Sequence, residues 1–348
     1  MDEYFMHAEN EYGQNSRATA LLGETGAKVI FCATSASGRD GLFLADGEGL
    51  HALDVPLPGH CRTPMFSPDG RFVAFSQDNG PGAGLCVTDL EGGTEVLPVS
   101  GMADYAPVWS QDGDWLAWCR CPAMNLESAN HAEIWASPWP SFDPRPLTSN
   151  ARMDCYPVFS PCGKEIYFES GHTDGLFGLF AVTLEGKESP ILYEPDVAGN
   201  GIPHVAGDRI VFERSLARTL ALYDVYSLKR DEPTTLIRHT FFERHVNPTP
   251  RYSPDGSLIA YHMPEGEDCQ VHLIDPERPQ ALPRRIAVEQ GWLCYPRFDR
   301  RGKLIACQDY RHANLRIVDA ATGETAELSG PGPVRVTRFL ELYNHDIA

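Results

Sequence analysis

The feature that most constrains this chain is an internal repeat. Pro64-Met65-Phe66-Ser67-Pro68-Asp69-Gly70, running on to Phe75, returns as Pro107-Val108-Trp109-Ser110-Gln111-Asp112-Gly113 ahead of Trp118. Further copies are Pro157-Val158-Phe159-Ser160-Pro161-Cys162-Gly163 ahead of Phe168 and Pro250-Arg251-Tyr252-Ser253-Pro254-Asp255-Gly256 ahead of Tyr261. Pro296-Arg297-Phe298-Asp299-Arg300-Arg301-Gly302 ahead of Cys307 follows the same pattern. Weaker copies stand at Leu22 to Gly26 ahead of Phe31 and at Pro203 to Gly207 ahead of Phe212, which puts turn glycines at 26, 70, 113, 163, 207, 256 and 302. Seven units of about equal length are the mark of a repeat architecture.

Each copy reads as a short strand ending in an aromatic residue, a turn and a second strand. Proline presets φ in the turn and glycine accepts a positive φ. Two more β-like runs follow, such as Gly84 to Asp89 and Thr94 to Leu97, or Val271 to Asp275 and Gln280 to Leu282. Four strands per unit make a propeller blade, because such a sheet buries both faces only against its neighbours around a ring. The reading is all-β: a seven-bladed β-propeller of four-stranded antiparallel blades in one domain, residues 18–340. Residues 1–17 form an N-terminal extension and 341–348 a tail, and Val336 to Phe339 serves as the closing strand. The aromatic five residues after each turn glycine is expected to pack between blades.

The Phe-Ser-Pro-Asp-Gly phrase, with Asp89, Asp275 and Asp319 at the ends of third strands, resembles the TolB-like repeat, a WD40-like repeat without the Gly-His and Trp-Asp pairs of WD40 proper. The resemblance implies a propeller that binds proteins or saccharides, or one that shields a hydrolase domain. No G-x-S-x-G nucleophile elbow occurs. The chain also resembles the oligogalacturonate lyases, catalytic propellers that bind manganese through histidines. That resemblance implies a base, a cation facing the uronate carboxylate and a metal that stabilises enolate-like charge. Dense histidine clustering of that family is missing, and Tyr295 stands where a histidine would help.

Composition narrows the partners. Lys+Arg 29 against Asp+Glu 48 gives a net charge of −19, which disfavours nucleic acid and anionic membrane surfaces. Several of the ten cysteines sit in apolar runs, as in Val29-Ile30-Phe31-Cys32, and read as reduced core thiols. No basic segment leads into an apolar stretch at Met1 to Met6, which implies a cytoplasmic location, or a periplasmic one for a chain trimmed of its signal. A monomer without membrane insertion is expected.

In a propeller the loops leading into first strands and those leaving second strands share one face. The former carry His60, Asp104, Asp154, Asn200, His204, Arg244, His245, Asn247, Trp292 and Tyr295; the latter, Gln77, Arg120, Glu169, Arg214, His262 and Gln308. The functional reading takes His204, His245 and His262 as metal ligands, for manganese or another divalent ion. It takes His245, Arg214, Arg120 and Tyr295 as catalytic groups, and His60, Asp104, Asp154, Asn247, Arg244 and Trp292 as substrate contacts. The bland reading is a hydrated polar mouth. Trp135, Trp139 and Phe142, after an insertion at Pro122 to His131, form either an exposed ledge for sugars or a seal over the blade. Three functions stay open: a binding propeller for a protein or acidic oligosaccharide, a uronate lyase, and a scaffold.

Overall fold

The computed structural model describes residues 17–34, 40–53, 60–78, 83–91, 93–97, 101–123, 131–150, 152–171, 177–194, 199–215, 222–242, 247–286, 291–328 and 345–348. They form a seven-bladed ring of four-stranded antiparallel blades. Blade two holds β4 (Cys61–Phe66), β5 (Phe72–Asp78), β6 (Ala83–Asp89) and β7 (Gly93–Val96). Blade three holds β8 (Ala103–Trp109), β9 (Trp115–Cys121), β10 (Glu133–Pro138) and β11 (Arg145–Pro146). Blade four has β12 (Asp154–Phe159), β13 (Glu165–Gly171), β14 (Phe177–Thr183) and β15 (Glu188–Leu192). Blade five has β16 (Gly199–Ala206), β17 (Arg209–Ser215), β18 (Asp224–Lys229) and β19 (Glu232–Arg238). Blade six is β20 (Arg251–Tyr252), β21 (Ile259–Glu265), β22 (Asp268–Ile274) and β23 (Arg284–Ile286). Blade seven is β24 (Leu293–Phe298), β25 (Leu304–Asp309), β26 (Asn314–Asp319) and β27 (Thr325–Leu328).

Blade one differs from the sequence reading. Leu22 to Gly26, read as a strand and turn, belong instead to a helix, α1 (Arg17–Thr25), and its end. The helix buries Ala18, Leu21 and Leu22 against the junction of blades seven and one, and Arg17 is paired with Glu324 at 2.6 Å. Strands β1 (Val29–Thr34), β2 (Asp40–Ala45) and β3 (Leu50–Leu53) complete three quarters of the blade. The inner strand is β28 (His345–Ile347), paired antiparallel with Val29 to Phe31, so the closing strand lies within the segment read as a tail. Val336 to Phe339 lie outside the described residues. Asp346 explains why these three residues suffice. Its carboxylate takes Arg297 of blade seven at 2.8 Å and the Phe66 amide of blade two at 2.9 Å, tying both neighbours to the closing strand.

The turns follow from their residues. Ser110 Oγ accepts from the Trp115 amide at 2.9 Å and donates to Asp112 at 2.5 Å, while Gly113 sits at φ +77. Ser67 and Ser253 repeat this with Asp69 and Asp255. In blade seven Asp299 replaces the serine and accepts the Leu304 amide directly. All seven turn glycines have positive φ.

The core consists of one buried cluster at each of the seven junctions between adjacent blades. The residue five after the turn glycine points back toward the preceding blade: Phe75 packs with Ile30 and Leu42, and Trp118 with Ala74 and Val87. Strand alternation then turns the next residue forward. Trp139 meets Trp109 and Phe72 edge-on at 5.4 and 5.5 Å, and Phe142 stacks on Trp118 at 5.9 Å, so these aromatics seal the junction of blades two and three. All ten cysteines are free thiols, and only Cys162 is exposed.

Candidate functional site

The axis is shaped by a bulge at the inner strands of six blades. Thr63, Ala106, Tyr156, Ile202, Thr249 and Tyr295 all have φ between +39 and +55, and each precedes a proline. A β-carbon resists the left-handed region, so each such residue needs its conformation fixed by surroundings. Those surroundings come from the preceding blade. The side chain six residues after its turn glycine accepts the bulge amide at four consecutive junctions. Cys119 serves Tyr156, Glu169 serves Ile202 at 2.8 Å, Glu213 serves Thr249, and His262 Nδ1 serves Tyr295 at 3.4 Å. A proline then removes the next amide, so the axial wall beyond the bulge is poor in backbone donors.

Two of these acceptors are titratable carboxylates in one buried neighbourhood. Glu169 is 7% exposed and Glu213 2%. Burial pushes Glu169 up to about 7, and burial with the Glu169 charge nearby pushes Glu213 up to about 8. The Asn247 amide, turned with its nitrogen toward Glu213, donates to both carboxylate oxygens. Gly201 is required at its position: a β-carbon there would lie 2.9 Å from the Glu169 carboxyl carbon.

Beyond the bulges, the axis holds a cavity of about 50 Å³, room for a few water molecules. Blades two and three line it with Pro64, Met65, Pro107 and Val108, blade four with Tyr156 and Pro157, and blades six and seven with Arg251 and Arg297. His204, near these arginines, has its protonation driven well below the usual histidine range by burial first and then by both charges. The cavity is apolar on one side and cationic on the other.

The predicted residues are placed as follows. Arg120 grips Asp104 through two bonds, at 2.5 and 2.9 Å, and lies over the Trp135 ring at 4.1 Å. Arg214 is bonded to Glu194 at 2.6 Å and Asn200 at 2.7 Å. Both guanidiniums are buried and committed, Arg120 within its own blade and Arg214 to Asn200 of its own blade and to Glu194, which follows β15. Asp154 accepts from Ser170 at 2.6 Å and Asn150 at 2.8 Å, and burial raises it to about 6. His60 is exposed at the start of blade two. The Trp292 amide donates to Asp309, and Tyr295 meets His262 edge-on at 5.3 Å. Arg244 and His245 lie outside the described residues. His204 Nδ1 accepts the Tyr252 amide at 3.1 Å. Among the described residues His204 joins no group of three metal donors, and the donors gathered around His262 are Cys269 and Cys294. Sequence reasoning named Glu169 only as a strand end and missed Glu213, Arg251 and Arg297; the position six after each turn glycine would have found the two glutamates.

Comparison with solved structures places this architecture. TolB from Acinetobacter baumannii superposes with a TM-score of 0.56 at 18% identity, over 78% of this chain and 66% of that one. In fold, this is a TolB-like propeller. An oligogalacturonate lyase in complex with manganese gives 0.65 at 13% identity over 88% of this chain and 86% of the other. The propeller domain of the Trilobed protease from Pyrococcus furiosus gives 0.65 at 12% over 87% and 94%. That domain is described as having an open velcro topology, whereas this TolB-like ring is closed by β28. The chain spans just under two thirds of TolB and about half of the similar prolyl endopeptidases and acylaminoacyl peptidases. No family model and no curated protein matches the sequence. Among the described residues no helix is long and apolar enough to cross a membrane.

Proposed function

We propose that the chain is a binding propeller whose axial cavity takes an acidic side chain from a partner protein. The observation that carries this reading is the split lining: Arg251 and Arg297 on one side, the latter also paired with Asp346, and proline, methionine and valine on the other. A guanidinium suits a carboxylate. An apolar wall suits the methylene stem that carries it. The lining offers few hydroxyl partners for a saccharide, which favours a protein segment. The net charge of −19 opposes such a partner at long range, but physiological salt screens beyond about 8 Å, so recognition is local. Fluorescence anisotropy with a panel of labelled glutamate- and aspartate-containing peptides tests this, with trigalacturonate as competitor. Saturable peptide binding that disappears in Arg251→Ala, with the unfolding transition of that variant unchanged, supports the reading. Binding of trigalacturonate alone sinks it in favour of a saccharide, and a flat panel leaves the scaffold.

A second reading, a uronate lyase, is favoured by Glu169 and Glu213, whose raised protonation suits general bases, with Arg251 close enough to oppose the Glu213 shift. Its test is the ultraviolet absorbance of the unsaturated product from oligogalacturonate, with and without manganese. Activity abolished by Glu213→Gln would establish it.

A further inference from the structure

His262, Cys269 and Cys294 lie where blades six and seven meet, away from the lining of the axial cavity. A ring nitrogen and the two Sγ atoms fall within 4.8 Å of one another, and the sulfurs are 3.8 Å apart. Two thiolates on a tetrahedral zinc at about 2.3 Å each would stand about 3.8 Å apart. All three side chains are buried, at 7%, 0% and 4% exposure.

A second observation concerns Gln308. It sits directly opposite Cys294 across the β24–β25 pair and is 2% exposed, yet neither its Oε1 nor its Nε2 has a hydrogen-bond partner. Blade two repeats the same cross-strand arrangement, Cys61 opposite Gln77. There the glutamine amide reaches the Cys61 sulfur at 3.7 Å and the Cys86 thiol at 3.9 Å. In blade seven the Cys294 thiol turns instead to Cys269, and the amide is left over. A buried amide with both ends unsatisfied is costly unless something unseen occupies it.

We propose that His262, Cys269 and Cys294 bind one zinc ion, with the Gln308 amide beside the open fourth position. Charge selects the metal: two thiolates, a neutral imidazole and a divalent ion sum to zero, the form a buried site tolerates. Sulfur donors exclude magnesium, calcium and manganese in favour of a thiophilic ion. Thr249 Oγ1, 2.9 Å from His262 Nδ1, orients the ring and accepts its proton when the other nitrogen takes the metal, a state in which Nδ1 no longer accepts the Tyr295 amide. The Cys269 amide donates to Gly291 O at 3.1 Å, holding the β22 end beside the segment that leads into Cys294. Binding converts two thiols and Zn²⁺ to a dithiolate complex and two released protons, with no change of oxidation state. The ion would staple the blades together.

The full chain, refolded in reductant with cobalt as a spectroscopic probe and separately with zinc, tests this. The expected result is one zinc per chain by mass spectrometry, two protons released per zinc, and cobalt spectra with thiolate charge-transfer bands and intense tetrahedral bands. Cys269→Ser and Cys294→Ser should each weaken zinc binding about a hundredfold or more. Cys61→Ser, at the matching pair in blade two, should leave it unchanged. Should these cysteine variants fail to fold, His262→Asn read by the same cobalt spectrum decides. Cobalt bands without thiolate character, a zinc content unaffected by these substitutions, or a Cys269–Cys294 disulfide in protein isolated without reductant would each overturn the site.

Discussion

The two sides of the axis are built from one backbone repeat and carry opposite chemistry. Blades two to four present Met65, Val108, prolines and, behind them, a cluster in which Trp109 meets Trp139 and Trp118 meets Phe142. Blades four to seven place Glu169, Glu213 and His262 at equivalent forward-facing positions, with Arg251 and Arg297 beyond them. Equivalent strands therefore settle stability in different currencies. The tryptophan side is dominated by packing, which is indifferent to pH, whereas on the other side burial raises the protonation of two carboxylates.

The sharpest way to break this contrast is Trp109→Ala. Its ring is buried at the junction of blades two and three and its indole donates to the Met65 carbonyl, which does not titrate, so the substitution should cost about 3–5 kcal/mol. Urea denaturation at pH 5 and pH 8 should give the same loss; a loss that changes with pH would refute the division.

Glu213→Gln tests the other side, with a smaller effect that depends on pH. In the unfolded chain a glutamate loses its proton near 4.5, while in the folded protein Glu169 and Glu213 hold theirs to about 7 and about 8. Between these limits the folded state binds more protons, so stability is full at low pH and falls as pH rises, by up to about 1.4 kcal/mol per unit per group. Glutamine keeps the acceptor for the Thr249 amide and has no proton to lose. The variant should match the wild type at pH 5 and exceed it at pH 8 by about 1–3 kcal/mol. Equal stability of the two proteins at pH 8 would show that Glu213 is not held protonated.

Smaller still is a matched pair at the rim. Ser110→Ala in blade three and Ser253→Ala in blade six remove the same turn hydrogen bonds. Each should cost about 1 kcal/mol in thermal or urea unfolding, because the difference between the two sides resides at the axis and not in the turns. Unequal losses would extend the asymmetry outward. Least disturbing is native-state thiol labelling. Cys162 is exposed, and its thiol is lowered from the usual range by the bond to Ser160. One thiol should react at once and the other nine only on unfolding; a second fast thiol would show a junction that opens.

Much of the architecture was legible because its signals are local. A turn that needs positive φ calls for glycine at 70, 113 or 256, and an aromatic five residues on must lie on a fixed strand face. Blade one was misread at both ends because its inner strand comes from His345–Ile347, which carries no turn phrase, while α1 covers a junction with only three buried apolar side chains in its favour. At the site, individual polar residues could be named but not their commitments. Arg120 and Asp104 looked like separate ligands, yet they are cross-strand partners in the β8–β9 register, a relation that strand alignment alone would have given. Glu213 escaped notice because a charged residue after Phe212 looks like an exposed strand end. Burial there arises from the neighbouring blade, which no window of local sequence contains.

The bulge has a consequence for how such a ring can change over generations. Six blades present such an amide, and at four of them a thiol, two carboxylates and an imidazole meet its need for an acceptor. The backbone asks only for a lone pair and leaves the rest of the side chain undetermined. Such a seat can exchange occupants singly without refitting its neighbours, so a lineage could rewrite the chemistry along its axis one letter at a time while the frame stays intact.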